Sequence, residues 1–72
     1  MESLVIYTDT IKLKDALKLA GITDTGGEGR EFLFTHDVLV NDEPCNQRGK
    51  KLRNGDILKV EGRTIRIVGE NY

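Results

Sequence analysis

The chain has 72 residues, with 11 Lys and Arg against 12 Asp and Glu and a formal net charge of −1. That length predicts one domain over residues 1–72; it buries only about 60% of its unfolded surface and leaves no room for a deep active-site cavity. One cysteine, Cys45, excludes an internal disulfide. With no second thiol for a metal, the expectation is a reducing, cytoplasmic compartment. No apolar run approaches the roughly 20 residues of a membrane span, and the opening Met1-Glu2-Ser3 lacks the positive flank of a signal peptide. The expectation is therefore no membrane association and no export.

In chain order, Leu4-Val5-Ile6-Tyr7 reads as a first strand, ended by the polar Thr8-Asp9-Thr10. Leu13, Ala16, Leu17 and Ala20 then recur at helical spacing, with Lys12, Lys14, Asp15 and Lys18 on the opposite face; Gly21 closes this amphipathic helix. Thr25-Gly26-Gly27-Glu28 has capping-box spacing and opens a second helix, whose apolar face begins at Phe32 and Leu33 and which stops near His36-Asp37. Its glycines are poor helix formers, each costing about 1 kcal/mol relative to Ala in a helix interior, and a close-approaching backbone or ligand is the usual compensation. Val38-Leu39-Val40 is a strand, Asn41-Asp42 a turn, and Glu43-Pro44-Cys45 a return that proline confines to an edge or loop. Ile57–Val60 and Thr64–Val68, on either side of Glu61-Gly62-Arg63, form a terminal hairpin.

The charge is unevenly placed. Arg48 to Arg53 packs four cations into six residues. From Arg48 to Arg66, seven basic residues face two acids, a surplus of five positive charges, while the rest of the chain carries an excess of six negative ones. Distribution of charge, more than its sum, decides which partners approach which face, so the basic stretch is a candidate phosphate-binding surface. A solvated loop kept basic for solubility is the competing account, and composition alone does not separate the two.

The order of parts is recognisable. Lys12-Leu13-Lys14-Asp15-Ala16-Leu17, then Ala20-Gly21-Ile22, the glycine-led second helix, Val38-Leu39-Val40-Asn41 and Lys50-Lys51-Leu52-Arg53-Asn54-Gly55-Asp56-Ile57 together resemble the RNA-binding domain named after ribosomal protein S4. The resemblance is closest to its small stand-alone bacterial members of the YaaA type, and it covers roughly residues 3 to 68. It implies an α+β fold with two helices packed on a small, bent antiparallel sheet, the alpha-L motif. It also implies a structured RNA partner, ribosomal or transfer RNA-like. Gly26, Gly27 and Arg30 would lie at the RNA-facing start of the second helix, and Arg48, Lys50, Lys51 and Arg53 would line the basic loop beside it. Lys12, Lys14 and Lys18 read as an ordinary exposed helical face, but the resemblance has Lys12 and Lys14 begin a helix turned partly toward RNA. The chain departs from the family pattern at His36, where a helix-ending glycine is usual, at Asp42, where an Asn-Gly turn is common, and at Gly29, where alanine is usual.

Physical chemistry supports parts of this assignment without the resemblance. Backbone N–H groups at a helix N-terminus attract anions, and glycines let a phosphate come close. Arginine grips phosphate bidentately, and lysine adds point charge. The Thr25–Glu28 segment is equally explained as an ordinary cap, and Arg30 as one half of a surface salt bridge. His36 reads as a helix-terminus residue, since no nucleophile or carboxylate pair accompanies it, and Cys45 as inert.

The expectation is thus a monomeric, non-catalytic RNA-binding domain without cofactor or metal, whose modest intrinsic affinity leaves room for a protein partner. The alternative is a protein-interaction adaptor that docks its basic face on an acidic partner. An enzyme or carrier is disfavoured: there is no metal-ligand spacing or phosphate-binding lysine loop, and the chain closes on Gly69-Glu70-Asn71-Tyr72, not on the Gly-Gly that sulfur carriers activate.

Overall fold

The computed structural model describes residues 1–23, 31–33 and 35–70. The elements are β1 (Glu2–Ile6), β2 (Ile11–Lys12), α1 (Leu13–Leu19), β3 (Val38–Val40), β4 (Glu43–Pro44), β5 (Lys51–Leu52), β6 (Ile57–Val60) and β7 (Arg63–Gly69). Glu31, Phe32, Leu33 and Thr35 are also helical. The Thr25-Gly26-Gly27-Glu28 cap, Gly29 and Arg30 fall outside the described residues.

Alternation builds the main sheet. Ile65 and Ile67 of β7, Leu58 and Val60 of β6, and Val38 and Val40 of β3 are buried, while the residues between them are half-buried or exposed, as period-2 strands with one covered face require. The strand order is β1-β7-β6-β3-β4. Strands β3, β4, β6 and β7 pair antiparallel, whereas β1 runs parallel to β7 with Leu4 opposite Ile67. Leu13, Ala16 and Leu17, which recur along α1, join these strands in one buried cluster together with Leu33.

Both hairpins turn on two residues with positive φ: Asn41 (53°) and Asp42 (66°) between β3 and β4, Glu61 (51°) and Gly62 (75°) between β6 and β7. Two left-handed residues match the twist of the strands they join, so Asn41-Asp42 is a turn as its composition implies. Arg63, expected in the second turn, is instead the first residue of β7. Pro44 lies on an edge strand, where its missing N–H costs no interior ladder bond.

Helix α1 ends as Gly21 predicts. With φ at 76°, Gly21 donates its N–H to the Lys18 carbonyl (3.0 Å), and Ile22 donates to Leu17 (2.9 Å), the paired bonds of a Schellman motif. Ile22 also packs against the core cluster that holds Leu17, which supplies the apolar contact that accompanies this closure.

The α+β expectation of two helices packed on a bent antiparallel sheet is corrected by this arrangement. The chain is dominated by strands: a mixed five-stranded sheet, a separate two-stranded sheet of β2 and β5, and only short helical segments among the described residues. The physical reason is where the apolar area lies. Most buried side chains sit on period-2 segments, and α1 is only seven residues long, bounded by extended Lys12 on one side and Gly21 on the other. The first strand also starts earlier than expected, at Glu2, and stops before Tyr7, which is 71% exposed.

Candidate nucleic-acid interface

Strand β2 pairs antiparallel with β5 so that Ile11 faces Leu52 and Lys12 faces Lys51. Ile11 and Leu52 are buried on one side, and the two lysines are left exposed and directly opposed on the other. Like charges in directly opposed cross-strand positions are destabilising.

The loop before β5 is stitched to the start of α1. Leu13 donates its N–H to the Lys50 carbonyl (2.8 Å), and Lys14 donates to the Arg48 carbonyl (3.0 Å). Lys12 makes no side-chain cap, so these carbonyls satisfy the first donors of the helix. A Gln47–Lys50 turn, in which the Lys50 N–H reaches the Gln47 carbonyl at 3.0 Å, carries the chain across. These two backbone bonds bring Arg48, Lys50 and Lys51 beside Lys12 and Lys14, with Arg53 following directly after β5.

Among the described residues, none of these six cations forms a salt bridge. The ion pairs among the described residues lie elsewhere, Lys59 with Asp42 (2.6 Å) and Arg63 with Glu2 (2.5 Å), and the His36 ring nitrogen lies 3.6 Å from a Glu61 carboxylate oxygen. Asp56 is the only acid between Glu43 and Glu61 in the sequence, yet it does not neutralise the cluster. One of its oxygens accepts the backbone N–H of Arg53 (2.8 Å) and the other the side-chain amide of Asn41 (3.1 Å).

Of the sequence-derived site residues, Lys12, Arg48, Lys50, Lys51 and Arg53 are brought together; Gly26, Gly27 and Arg30 lie outside the described residues. Lys12 belongs to β2, just before the helix face on which its spacing placed it. Lys14, which the residues alone read as part of an ordinary exposed helix face and the resemblance placed at the start of a helix turned partly toward RNA, is joined to the loop by its backbone bond to Arg48. The signal for Lys14 is weak in the sequence, since its backbone bond to a residue 34 positions away leaves no trace in local spacing. The pairing of Lys12 with Lys51 is equally hidden, because two-residue strands show no periodicity.

Two of the residues that depart from the family pattern, His36 and Asp42, have local roles, and the third, Gly29, lies outside the described residues. His36 ends the second helical segment: its N–H reaches the Phe32 carbonyl at 2.9 Å, and its ring stacks on Phe32 with centroids 4.0 Å apart. Asp42 is held by Lys59 at the hairpin tip. A separate open cleft of about 740 Å³ lies between the His36–Leu39, Pro44–Asn46 and Lys59–Thr64 segments. Of its charged groups, Lys59 is paired with Asp42, the His36 ring faces Glu61, and Arg63 donates to both Glu2 oxygens and to the Ala20 carbonyl. Hydrogen bonding from Arg63, with its charge, holds the Glu2 carboxyl below the usual carboxylate range, and the same contact raises the guanidinium. No three His, Cys, Asp or Glu side chains among the described residues are grouped to hold a metal ion, and no described helix is long and apolar enough to cross a membrane.

Comparison with known proteins bears on what this surface meets. The family model for the S4 domain matches residues 4–68. A protein of Bacillus subtilis (strain 168) named "Probable ribosome maturation protein RlbA" is 51% identical over 57 residues, which covers 79% of this chain and 80% of that one. A tyrosine–tRNA ligase of Ureaplasma urealyticum serovar 10 is 34% identical over 64 residues, and one of Ureaplasma parvum serovar 3 is 33% identical over the same length. These matches take in 89% of this chain but only 15% of either ligase.

Proposed function

This chain belongs to the S4 domain family, and on that premise we propose that it is a non-catalytic, cytoplasmic RNA-binding module that grips structured RNA, ribosomal or tRNA-like, through its basic loop. The observation that carries the proposal is the assembly of Lys12, Lys14, Arg48, Lys50, Lys51 and Arg53 around the β2–β5 pair, with no acidic partner among the described residues. A 72-residue domain has little stability to spend on like-charge repulsion, and a polyanion relieves it. Gly26, Gly27 and Arg30 join this surface on the family resemblance.

RNA suits the surface better than an isolated anion would. Several cations spread over a loop, a strand pair and a helix start match successive phosphates along a backbone. Double-stranded RNA hides its major-groove base edges, so a surface of this kind reads phosphates, 2′-hydroxyls and shape. The names of the relatives point the same way, that of the Bacillus protein to ribosome maturation and those of the two ligases to transfer RNA.

The test is a titration of the isotope-labelled protein with an RNA hairpin and with a DNA duplex of matched sequence at two salt concentrations, following backbone amide shifts. Salt-sensitive shifts at Lys12 to Asp15 and Arg48 to Arg53, larger with RNA, are expected. Absence of shifts with both nucleic acids in a folded sample overturns the proposal, and so do shifts confined to the opposite end of the sheet.

A further inference from the structure

We propose that Asp56 and Asn41 are positioning residues for the basic loop: they touch no ligand themselves but hold Arg53 and the end of β5 in the arrangement that binds. The inference rests on the RNA-binding reading of that loop and goes beyond it by assigning a role in binding to an acid.

The geometry is a closed relay. The Asp56 carboxylate accepts the Arg53 N–H through one oxygen (2.8 Å) and the Asn41 side-chain amide through the other (3.1 Å). The Asn41 side-chain carbonyl accepts the Ile57 N–H (3.0 Å), and the Asn41 backbone N–H donates to the Ile57 carbonyl (2.8 Å). The Asp56 backbone N–H donates back to the Arg53 carbonyl (3.0 Å), which closes a turn around Gly55, whose φ is 92°. The β3–β4 turn and the exit of the basic loop are therefore tied through two side chains. The other end of the loop is fixed by the Arg48 and Lys50 carbonyls on the start of α1. Between these ties the loop is held by the pairing of Lys51 and Leu52 with β2 and by burial of the Leu52 side chain. Beyond Arg53, Gly55 donates its N–H to the Ile67 carbonyl (2.8 Å), Ile67 donates to the Asp56 carbonyl (2.9 Å) and Gly69 donates to the Asn54 side-chain carbonyl (2.9 Å), so the turn itself is fixed on β7 and the two side chains govern how Arg53 leaves it.

Electrostatics and positioning predict opposite signs. Asp56 is a negative charge next to four cations, so a pure charge account has its removal strengthen RNA binding. If Asp56 instead keeps the loop in its binding arrangement, removal reduces the fraction of competent molecules. Apparent affinity then falls by the same fraction, about tenfold where only about a tenth of molecules remain ordered.

The experiment compares wild type, Asp56→Asn, Asp56→Ala, Asn41→Gly and a Lys50→Ser/Lys51→Ser/Arg53→Ser triple variant. RNA-hairpin affinity and hydrogen exchange of the Arg53 amide are measured on each, and folding is checked by circular dichroism. Asp56→Asn and Asp56→Ala change the charge equally, but the asparagine retains an acceptor, so any difference between them reports positioning. Asn41→Gly keeps the left-handed backbone at that site and alters no charge. The expected result is a loss of about tenfold for Asp56→Ala, a smaller loss for Asp56→Asn, a loss for Asn41→Gly, and an Arg53 amide that exchanges faster in step with each. Equal or tighter binding by both Asp56 variants, or unchanged Arg53 exchange in Asp56→Ala, overturns the inference. Wild-type affinity in the triple variant would instead overturn the RNA-binding reading of the loop, and the exchange measurement on the free protein still decides whether Asp56 orders it.

Discussion

Replacing Lys51 by Glu should make the protein more stable and a poorer RNA binder. Lys51 lies directly opposite Lys12 in the β2–β5 pair, and both side chains are exposed. An opposed pair contributes about 0.2–1 kcal/mol when the charges attract, and like charges cost a comparable amount, so the reversal is worth about 0.4–2 kcal/mol. The new carboxylate also approaches the N-terminal end of α1, where negative charge is favourable. In a domain of this size about 1 kcal/mol moves the unfolding midpoint by about 4–8 °C, so a rise of several degrees is expected at low salt. The charge-removing Lys51→Gln variant should show roughly half of it. At 1 M salt the screening length shrinks to about 3 Å and the gain should largely disappear. Thermal unfolding followed by circular dichroism at both ionic strengths measures this, and hairpin binding at low salt gives the opposing functional effect. A midpoint that falls or stays put at low salt, or a gain that survives 1 M salt, would refute the account of a surface kept repulsive for an anionic partner.

Leu52→Ala removes a fully buried side chain from between the two exposed cations of its segment, and a loss of about 2–5 kcal/mol is expected in urea unfolding; a loss below about 1 kcal/mol would mean that β5 does not anchor the loop. Gly21→Ala forces a Cβ into a left-handed backbone that meets no atom within 4 Å among the described residues beyond its chain neighbours, so its cost of about 1–2 kcal/mol is conformational. Gly21→Asn should cost less. Glu2→Gln tests the Arg63 pair: because the folded carboxyl titrates below its unfolded value, the stability it contributes is present above the unfolded pKa and is lost as pH falls through the folded one. The denaturant midpoints of wild type and variant should therefore differ at neutral pH and converge on acidification; a constant difference would show that the carboxyl's charge is not what matters.

What the sequence discloses about this protein follows from how local the responsible physics is. The Val38–Val40 strand, the Asn41-Asp42 turn, the edge position of Pro44 and the Gly21 helix end all rest on interactions within a few residues and are found where those residues imply, and the terminal hairpin is present with its turn one residue shorter than expected. The parallel partnership of β1 with β7 spans more than 60 positions, and neither strand carries a mark of its neighbour's direction. The weight given to helices was misplaced for a related reason. The i, i+3, i+4 pattern of Leu13, Ala16 and Leu17 is conspicuous, but it contributes three core residues, whereas the plainer alternations in β3, β6 and β7 contribute six.

The candidate interface divides along the same line. That cations crowd residues 48–53 is evident from composition, but which of them face a partner depends on the two-residue pairing of Lys12 with Lys51 and on the carbonyls of Arg48 and Lys50 reaching the helix start. Those contacts bear on α1 alone, since the glycine-led start of the second helix lies outside the described residues. The first donors of α1 are spent on the loop, so this helix does not offer them to phosphate; it serves as the frame on which the lysines and arginines are mounted. Affinity on such a surface comes from side-chain charge held by backbone hydrogen bonds. Substitutions that loosen the backbone should therefore weaken binding even where they leave every cation in place.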